Sequence, residues 1–193
     1  MKKLMFLQFI LLLLLPMERA MGQHTALLLI DIQDFYFPGG VSALVEPEKA
    51  AKNAALLLDY FRKNKMEVIH VRHNSAQGGN INDIVKPAGE EKIFSKDEVN
   101  CFVKTGLQDY LRSTGIDTLV ICGMQTHMCV EAAVRAATDL GYKCILVHDA
   151  CATKDLKFGN YIIKAIDVHN STLATLKAYS TVESANEYLN RKK

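Results

Sequence analysis

The sequence predicts an α/β domain built as a three-layer α/β/α sandwich around a mostly parallel sheet of about five or six strands. Three observations carry that expectation. The runs "TALLLI" (25–30) and "TLVIC" (118–122) are unbroken apolar stretches, the pattern of strands buried on both faces. Segments with helical periodicity alternate with these runs, as in a chain of β–α units. With 193 residues, 49% of them hydrophobic and 23% charged, the chain matches one domain with a sizeable core.

Each element follows in order. "TALLLI" is the first strand and ends at Asp31. Pro47 opens a helix to about Asn64, with Ala50, Ala54, Leu57, Leu58 and Phe61 on one face. "EVIHV" (67–71) is the second strand, followed by the glycine- and asparagine-rich loop "NSAQGGNIND". A helix over about 105–113 stops at Gly115, which suits a left-handed cap. "TLVIC" is the third strand. The next helix has the apolar stripe Val130, Ala133, Val134, Ala137 and Leu140, with Thr126 as its N-cap. "KCILVH" (143–148) is a strand, about 161–176 a helix, and "AYSTV" contains the last strand.

The N-terminus reads separately. Lys2 and Lys3 precede an apolar run from Leu4 to Leu15, and the small residues Ala20 and Gly22 flank a cut after Gly22. That is the layout of a secretory signal peptide, and the run is shorter than the roughly 20 residues of a spanning helix. The expected division is a leader at 1–22 and a single domain at 23–193, exported to the periplasm or secreted; an uncleaved anchor is the alternative. Removing Lys2, Lys3, Glu18 and Arg19 leaves 20 basic and 20 acidic residues. A neutral mature chain has no electrostatic reason to bind nucleic acid or an anionic membrane.

Parallel strands with right-handed crossovers deliver their C-terminal ends to one edge, where such sheets bind ligands. Asp31, the loop from Arg72, the stretch Met124–Cys129 and the stretch Asp149–Cys151 are therefore expected on one rim. Cys129 falls one position before the apolar stripe of its helix, so the helix buries its seam without it. A place in the first helical turn favours a thiolate and a lowered thiol pKa. Taken singly, each residue has a plain structural reading: a packed cysteine, a loop-capping Asp31, a solvated Lys96. Together they supply a nucleophile, a base and a cation.

Three segments carry a resemblance. "LLLIDIQDFYFPGG", "KDEVNCFVKTGL" and above all "LVICGMQTHMCVEAAVRAATDLGY" resemble the isochorismatase-like cysteine hydrolases, a family with a Rossmann-like fold that includes nicotinamidases and N-carbamoyl amide hydrolases. "HDACAT" and the helix containing His169 continue the pattern. The resemblance implies Asp31, Lys96 and Cys129 as the catalytic triad. It also implies a cis peptide at Met124–Gln125, and an oxyanion hole from the Gln125 and Cys129 N–H groups. It implies further a small amide, ureide or carbamoyl substrate cleaved through a thioester, and a homo-oligomer.

Gln33, Tyr36, Phe37 and His73 are the candidate substrate-binding residues, whereas His70, inside a strand, reads as packed. Gly39 and Gly40 read as turn residues. No Asp-x-His stands between the first strand and Lys96, so no metal and no other cofactor is expected. Two alternatives stay open: a vinyl ether hydrolase of the isochorismatase type, and a redox-responsive thiol protein. The five cysteines at 101, 122, 129, 144 and 151 are odd in number, and Cys151 on the same rim is the candidate resolving thiol.

Overall fold

The computed structural model describes residues 24–192. The expected leader at 1–22 lies outside the described residues. Six strands form one parallel sheet in the order β3-β2-β1-β4-β5-β8. They are β1 (Thr25–Ile30), β2 (Glu67–His73), β3 (Lys92–Lys96), β4 (Thr118–Met124), β5 (Lys143–Ala152) and β8 (Thr181–Glu183). The helices are α1 (Pro47–Lys63), α2 (Leu107–Ser113), α3 (Glu131–Asp139), α4 (Ala165–Leu176) and α5 (Ala185–Asn190). A separate antiparallel hairpin joins β6 (Leu156–Phe158) to β7 (Tyr161–Ile163). The sheet is flanked by helices, as a three-layer α/β/α fold requires.

The apolar runs explain the centre of the sheet. β1 pairs with β2 on one side and β4 on the other, and Ala26 to Ile30 are buried throughout. α1 covers the sheet with Ala50, Ala51, Ala54, Leu57, Leu58 and Phe61, all buried, and Pro47 is its first residue. Phe61 stacks on the ring of Tyr188 from α5, their centroids 6.1 Å apart. The chain leaves β1 towards β2 and leaves β4 towards β5, so the direction of winding reverses between β1 and β4. The crevice at that reversal is where such sheets bind ligands.

Several expected boundaries shift. β2 runs on to His73, so Arg72 and His73 belong to the strand and not to the loop. β5 continues to Ala152, which puts Asp149 and Cys151 in a strand beyond an irregularity in its pairing with β4. The helix expected from about 161 begins at Ala165, because 161–163 pairs with 156–158 instead. Leu140 is exposed and follows the end of α3. β3 and α5 had no periodic signal: β3 is a largely exposed edge strand, and α5 is one short turn set by the Ser184–Glu187 capping box.

Gly123 lets the ends of β4 and β1 come into close backbone contact. Its φ is +132°, and a Cβ there would lie 2.0 Å from the carbonyl oxygen of Ile30. No flexible side chain can move to relieve that clash. Gly123→Ala is expected to destabilise the fold by about 3 kcal/mol or more. Urea denaturation checks this, and a midpoint within error of the parent would refute it.

Candidate active site

Asp31 is the residue after β1, and its N–H donates to the Val71 carbonyl at 2.9 Å. Its φ is 48°, in the left-handed region, which Asp tolerates better than most residues. The side chain is fully buried. Lys96 closes β3, paired in register with His73 on β2. From there its long side chain reaches past β2 to Asp31, placing Nζ 2.7 Å from Oδ2 with both side chains at 0% exposure. This contact is an ion pair rather than a directed hydrogen bond, since neither Asp31 oxygen has a hydrogen bond of acceptable geometry.

Cys129 sits in a π-helical turn, Thr126–Val130, wedged between β4 and α3. Lys96 Nζ donates to its sulfur at 3.4 Å and lies 3.4 Å from His73 Nδ1. The ammonium therefore stands among a carboxylate, a thiol and an imidazole. The Met124–Gln125 peptide bond just before this turn is cis. The Gln125 side chain donates to the Tyr36 hydroxyl at 3.4 Å.

The electrostatics follow from burial and proximity. Burial raises the Asp31 carboxyl above its ordinary value of 3.8, and Lys96 opposes the rise without cancelling it. Burial works against the charged Lys96, but Asp31 and then Cys129 outweigh it and its pKa is raised. Burial and the Asp31 charge push the Cys129 thiol up to about 12, against the pull of Lys96. The lowered thiol pKa expected from the helix dipole is thus corrected: desolvation and a neighbouring carboxylate dominate. Tyr36 is pushed up to about 12, chiefly by burial, with the charges of Cys129 and Asp31 adding to the rise.

The other expected residues divide. Tyr36 and His73 face the same cluster. Gln33 does not serve as a substrate contact: it is fully buried and spends its amide on backbone. Its Nε2 donates to the carbonyls of His73 (3.0 Å) and Gly79 (2.7 Å), and its Oε1 accepts the His73 N–H at 2.7 Å. Phe37 is 7% exposed and belongs to the buried core cluster, as Tyr36 does. Thr126 is not the N-cap; Gln125 holds that position without a side-chain cap.

The Thr126 hydroxyl pairs with His169 Nδ1 of α4 at 2.9 Å, and His127 Nδ1 with the Thr153 hydroxyl at 2.6 Å. These two contacts latch the cysteine turn to its neighbours, and only the proximity of "HDACAT" and His169 to the rim hinted at them. His70 is packed, its Nε2 2.9 Å from Glu91.

All five cysteines are free and buried. The Cys151 thiol donates to the Val147 carbonyl at 3.4 Å. Cys101, which the sequence did not single out, lies near enough to feel the charges of Asp31, Lys96 and Cys129, and burial raises its thiol pKa. Among the described residues, no group of three or more His, Cys, Asp and Glu side chains is placed to hold a metal ion. A cavity of about 340 Å³ lies alongside, lined by His148, Cys151, Thr153 and His169, and does not include the three charged or nucleophilic groups.

The isochorismatase domain model matches residues 25–178. The chain belongs to the isochorismatase family. It is 42% identical over 177 residues to the uncharacterized isochorismatase family protein YddQ of Bacillus subtilis, covering 86% of this chain and 98% of that one. A solved isochorismatase hydrolase from Oleispira antarctica superposes with a TM-score of 0.85 at 39% identity, covering 89% of this chain and 99% of the other. A streptothricin hydrolase from Streptomyces noursei is 32% identical over 140 residues, 68% of this chain but half of that protein. The ureidoacrylate amidohydrolase RutB of Acinetobacter baylyi is 27% identical over 97 residues, 50% of this chain and 36% of that one.

The family is one of hydrolases, and this chain is a member with a buried Asp–Lys pair against a cysteine. Such a pair has a measurable stake in the fold. Lys96→Met leaves the Asp31 carboxylate buried without its counter-charge and is expected to cost about 3–5 kcal/mol. Adding Asp31→Leu is expected to recover most of that loss. Denaturation of the single and double variants checks both statements, and a Lys96→Met protein as stable as the parent would contradict the first.

Proposed function

We propose that the protein is a cysteine-dependent hydrolase of a C–N bond in a small amide, ureide or carbamoyl compound. The observation that carries this reading is the position of the Lys96 ammonium, 2.7 Å from a carboxylate and 3.4 Å from a thiol. The same ammonium can pair with either anion. When Asp31 takes the thiol proton, the negative charge moves from oxygen to sulfur and the net charge of the three groups does not change. No additional charge has to be desolvated, so a thiol that titrates near 12 when Asp31 is ionised is not an obstacle. The proton belongs to the coupled set rather than to one residue.

The steps follow. Asp31 accepts the Cys129 proton as sulfur attacks the carbonyl carbon. The carbonyl oxygen becomes an oxyanion beside the Gln125 and Cys129 backbone N–H groups. The intermediate collapses, the C–N bond breaks, and Asp31 returns its proton to the departing amine or ammonia. A water molecule then gives a proton to Asp31 and attacks the thioester carbonyl. The C–S bond breaks, the acid leaves, and sulfur regains its proton. His73 and Tyr36 line the substrate's position.

Streptothricin hydrolase and ureidoacrylate amidohydrolase among the relatives are named for hydrolytic reactions, in keeping with this class. Export from the cytoplasm and homo-oligomeric assembly are further parts of the proposal. The leader-like residues 1–22 support the first, and the resemblance supports the second.

Cys129→Ala is expected to abolish amide turnover, with ammonia release falling to background while the melting temperature stays near the parent's. A variant that hydrolyses amides as fast as the parent would end the mechanism.

The pH dependence has a definite sign. Asp31 must be ionised to accept a proton, and its pKa is raised above 3.8. Activity is therefore lost as pH falls through a value above the ordinary carboxylate range. Lys96 must be protonated, and its pKa is raised above 10.5, so it sets no alkaline loss below that value. A profile of kcat/KM against pH is expected to show that acid limb; a limb at or below 3.8 contradicts the role given to Asp31.

A further inference from the structure

Gln125 enters the proposed reaction through its backbone, and its side chain is a separate object. The residue is 4% exposed. Its Nε2 is committed to the Tyr36 hydroxyl. Its Oε1 is buried and has no hydrogen-bond partner among the described residues. A buried amide carbonyl without a donor is costly, and native structures keep few of them. Gln125 caps the turn that carries Cys129, and its backbone carbonyl accepts the Met128 and Val130 N–H groups on either side of that cysteine. Asp31 Oδ1, on the same cluster, is likewise buried without a hydrogen bond. Gln125 Oε1 and Asp31 Oδ1 are thus two buried acceptors without a hydrogen-bond donor among the described residues. The strongest donor there, Lys96, already faces Asp31, Cys129 and His73.

We propose that Gln125 Oε1 is a specificity-determining acceptor that takes an N–H of the substrate, so that the site selects primary carboxamides and ureides over esters of the same acyl group. This rests on the cysteine-hydrolase reading and adds the group that chooses among its substrates. An N–H substrate satisfies the orphaned carbonyl. An ester presents a lone pair to it and leaves it unpaired, the arrangement by which sites built for a hydrogen bond reject analogues that lack one. The anchor matters as well: Tyr36 takes the NH₂ and leaves the carbonyl as the uncommitted end of the amide.

The test uses matched pairs, nicotinamide with methyl nicotinate, benzamide with methyl benzoate, and a ureide with the corresponding carbamate ester. Ammonia or alcohol release gives kcat/KM for each. Gln125→Met removes the acceptor and is expected to lower the amide-to-ester ratio roughly ten- to a hundredfold. Gln125→Glu keeps an acceptor and is expected to retain most of the preference. Tyr36→Phe frees the anchor and is expected to lower the ratio, which serves if Gln125→Met does not fold.

An unchanged ratio in both Gln125→Met and Tyr36→Phe overturns the proposal, and so does a Gln125→Glu protein that loses the preference as fully as Gln125→Met. Calorimetry on Cys129→Ala, with and without Gln125→Met, separates recognition from turnover. If the parent hydrolyses no amide, the cysteine-hydrolase reading fails. Tighter binding of amide than ester that vanishes with Gln125→Met would still uphold the acceptor, and its absence would remove it.

Discussion

The site depends on one buried ion pair. Asp31 and Lys96 are both inaccessible to solvent, and each is tolerable there only because the other is 2.7 Å away. Desolvating either charge alone costs several kcal/mol, so the pair must form together or not at all. That requirement constrains the sheet. Asp31 follows a central strand and Lys96 ends the edge strand two places along, so the strands must be in register for the ammonium to arrive. The paired position of Lys96 is His73, on the strand between them. The thiol is then held against an existing dipole of fixed charges rather than having to recruit a base from solvent.

The surrounding structure keeps that arrangement rigid. Gln33, two residues after Asp31, clamps the backbone of His73 through both its N–H and its carbonyl. The strand end that carries His73 is thereby tied to the one that carries Asp31. On the other side, the cysteine turn is latched by Thr126 to His169 and by His127 to Thr153. Gly123, just before that turn, lets β4 approach the Ile30 carbonyl, which precedes Asp31, more closely than any side chain would allow. These are second contacts, none of which touches the reacting atoms, yet together they set where the sulfur lies. A shift of about an ångström at such a centre is worth a large factor in rate.

Much of this was legible beforehand, and the exceptions share causes. β1, β4, β5 and α1 are marked by apolar runs or a clear stripe, so they were readable from local pattern. β3 was not, because an exposed edge strand buries too little to leave an apolar run, and "KIFSK" reads as ordinary surface. The β6–β7 hairpin was absorbed into a helix because Tyr161, Ile162 and Ile163 extend the apolar run that precedes α4; pairing with Leu156–Phe158 overrode that reading. Gln33 and Phe37 looked like pocket residues by nearness to Asp31 in sequence. They flank the 3-10 turn at Asp34–Tyr36: Gln33 spends its amide on backbone, and Phe37 is buried in the same core cluster as Tyr36.

The sequence alone was enough for the fold class, the central strands and a shared rim for Asp31 and Cys129, whereas Lys96 was tied to them only by the family resemblance. Hydrophobic burial leaves a local periodic trace, and parallel strands send their C-terminal ends to the same edge. What the tertiary structure decided was the state of those groups. It set a thiol buried against a carboxylate and an ammonium, a lysine shared among three partners, a glutamine used as a clamp and a carbonyl left without a donor. These depend on desolvation and on distances between segments tens of residues apart, and neither quantity is written in the spacing of residues along the chain.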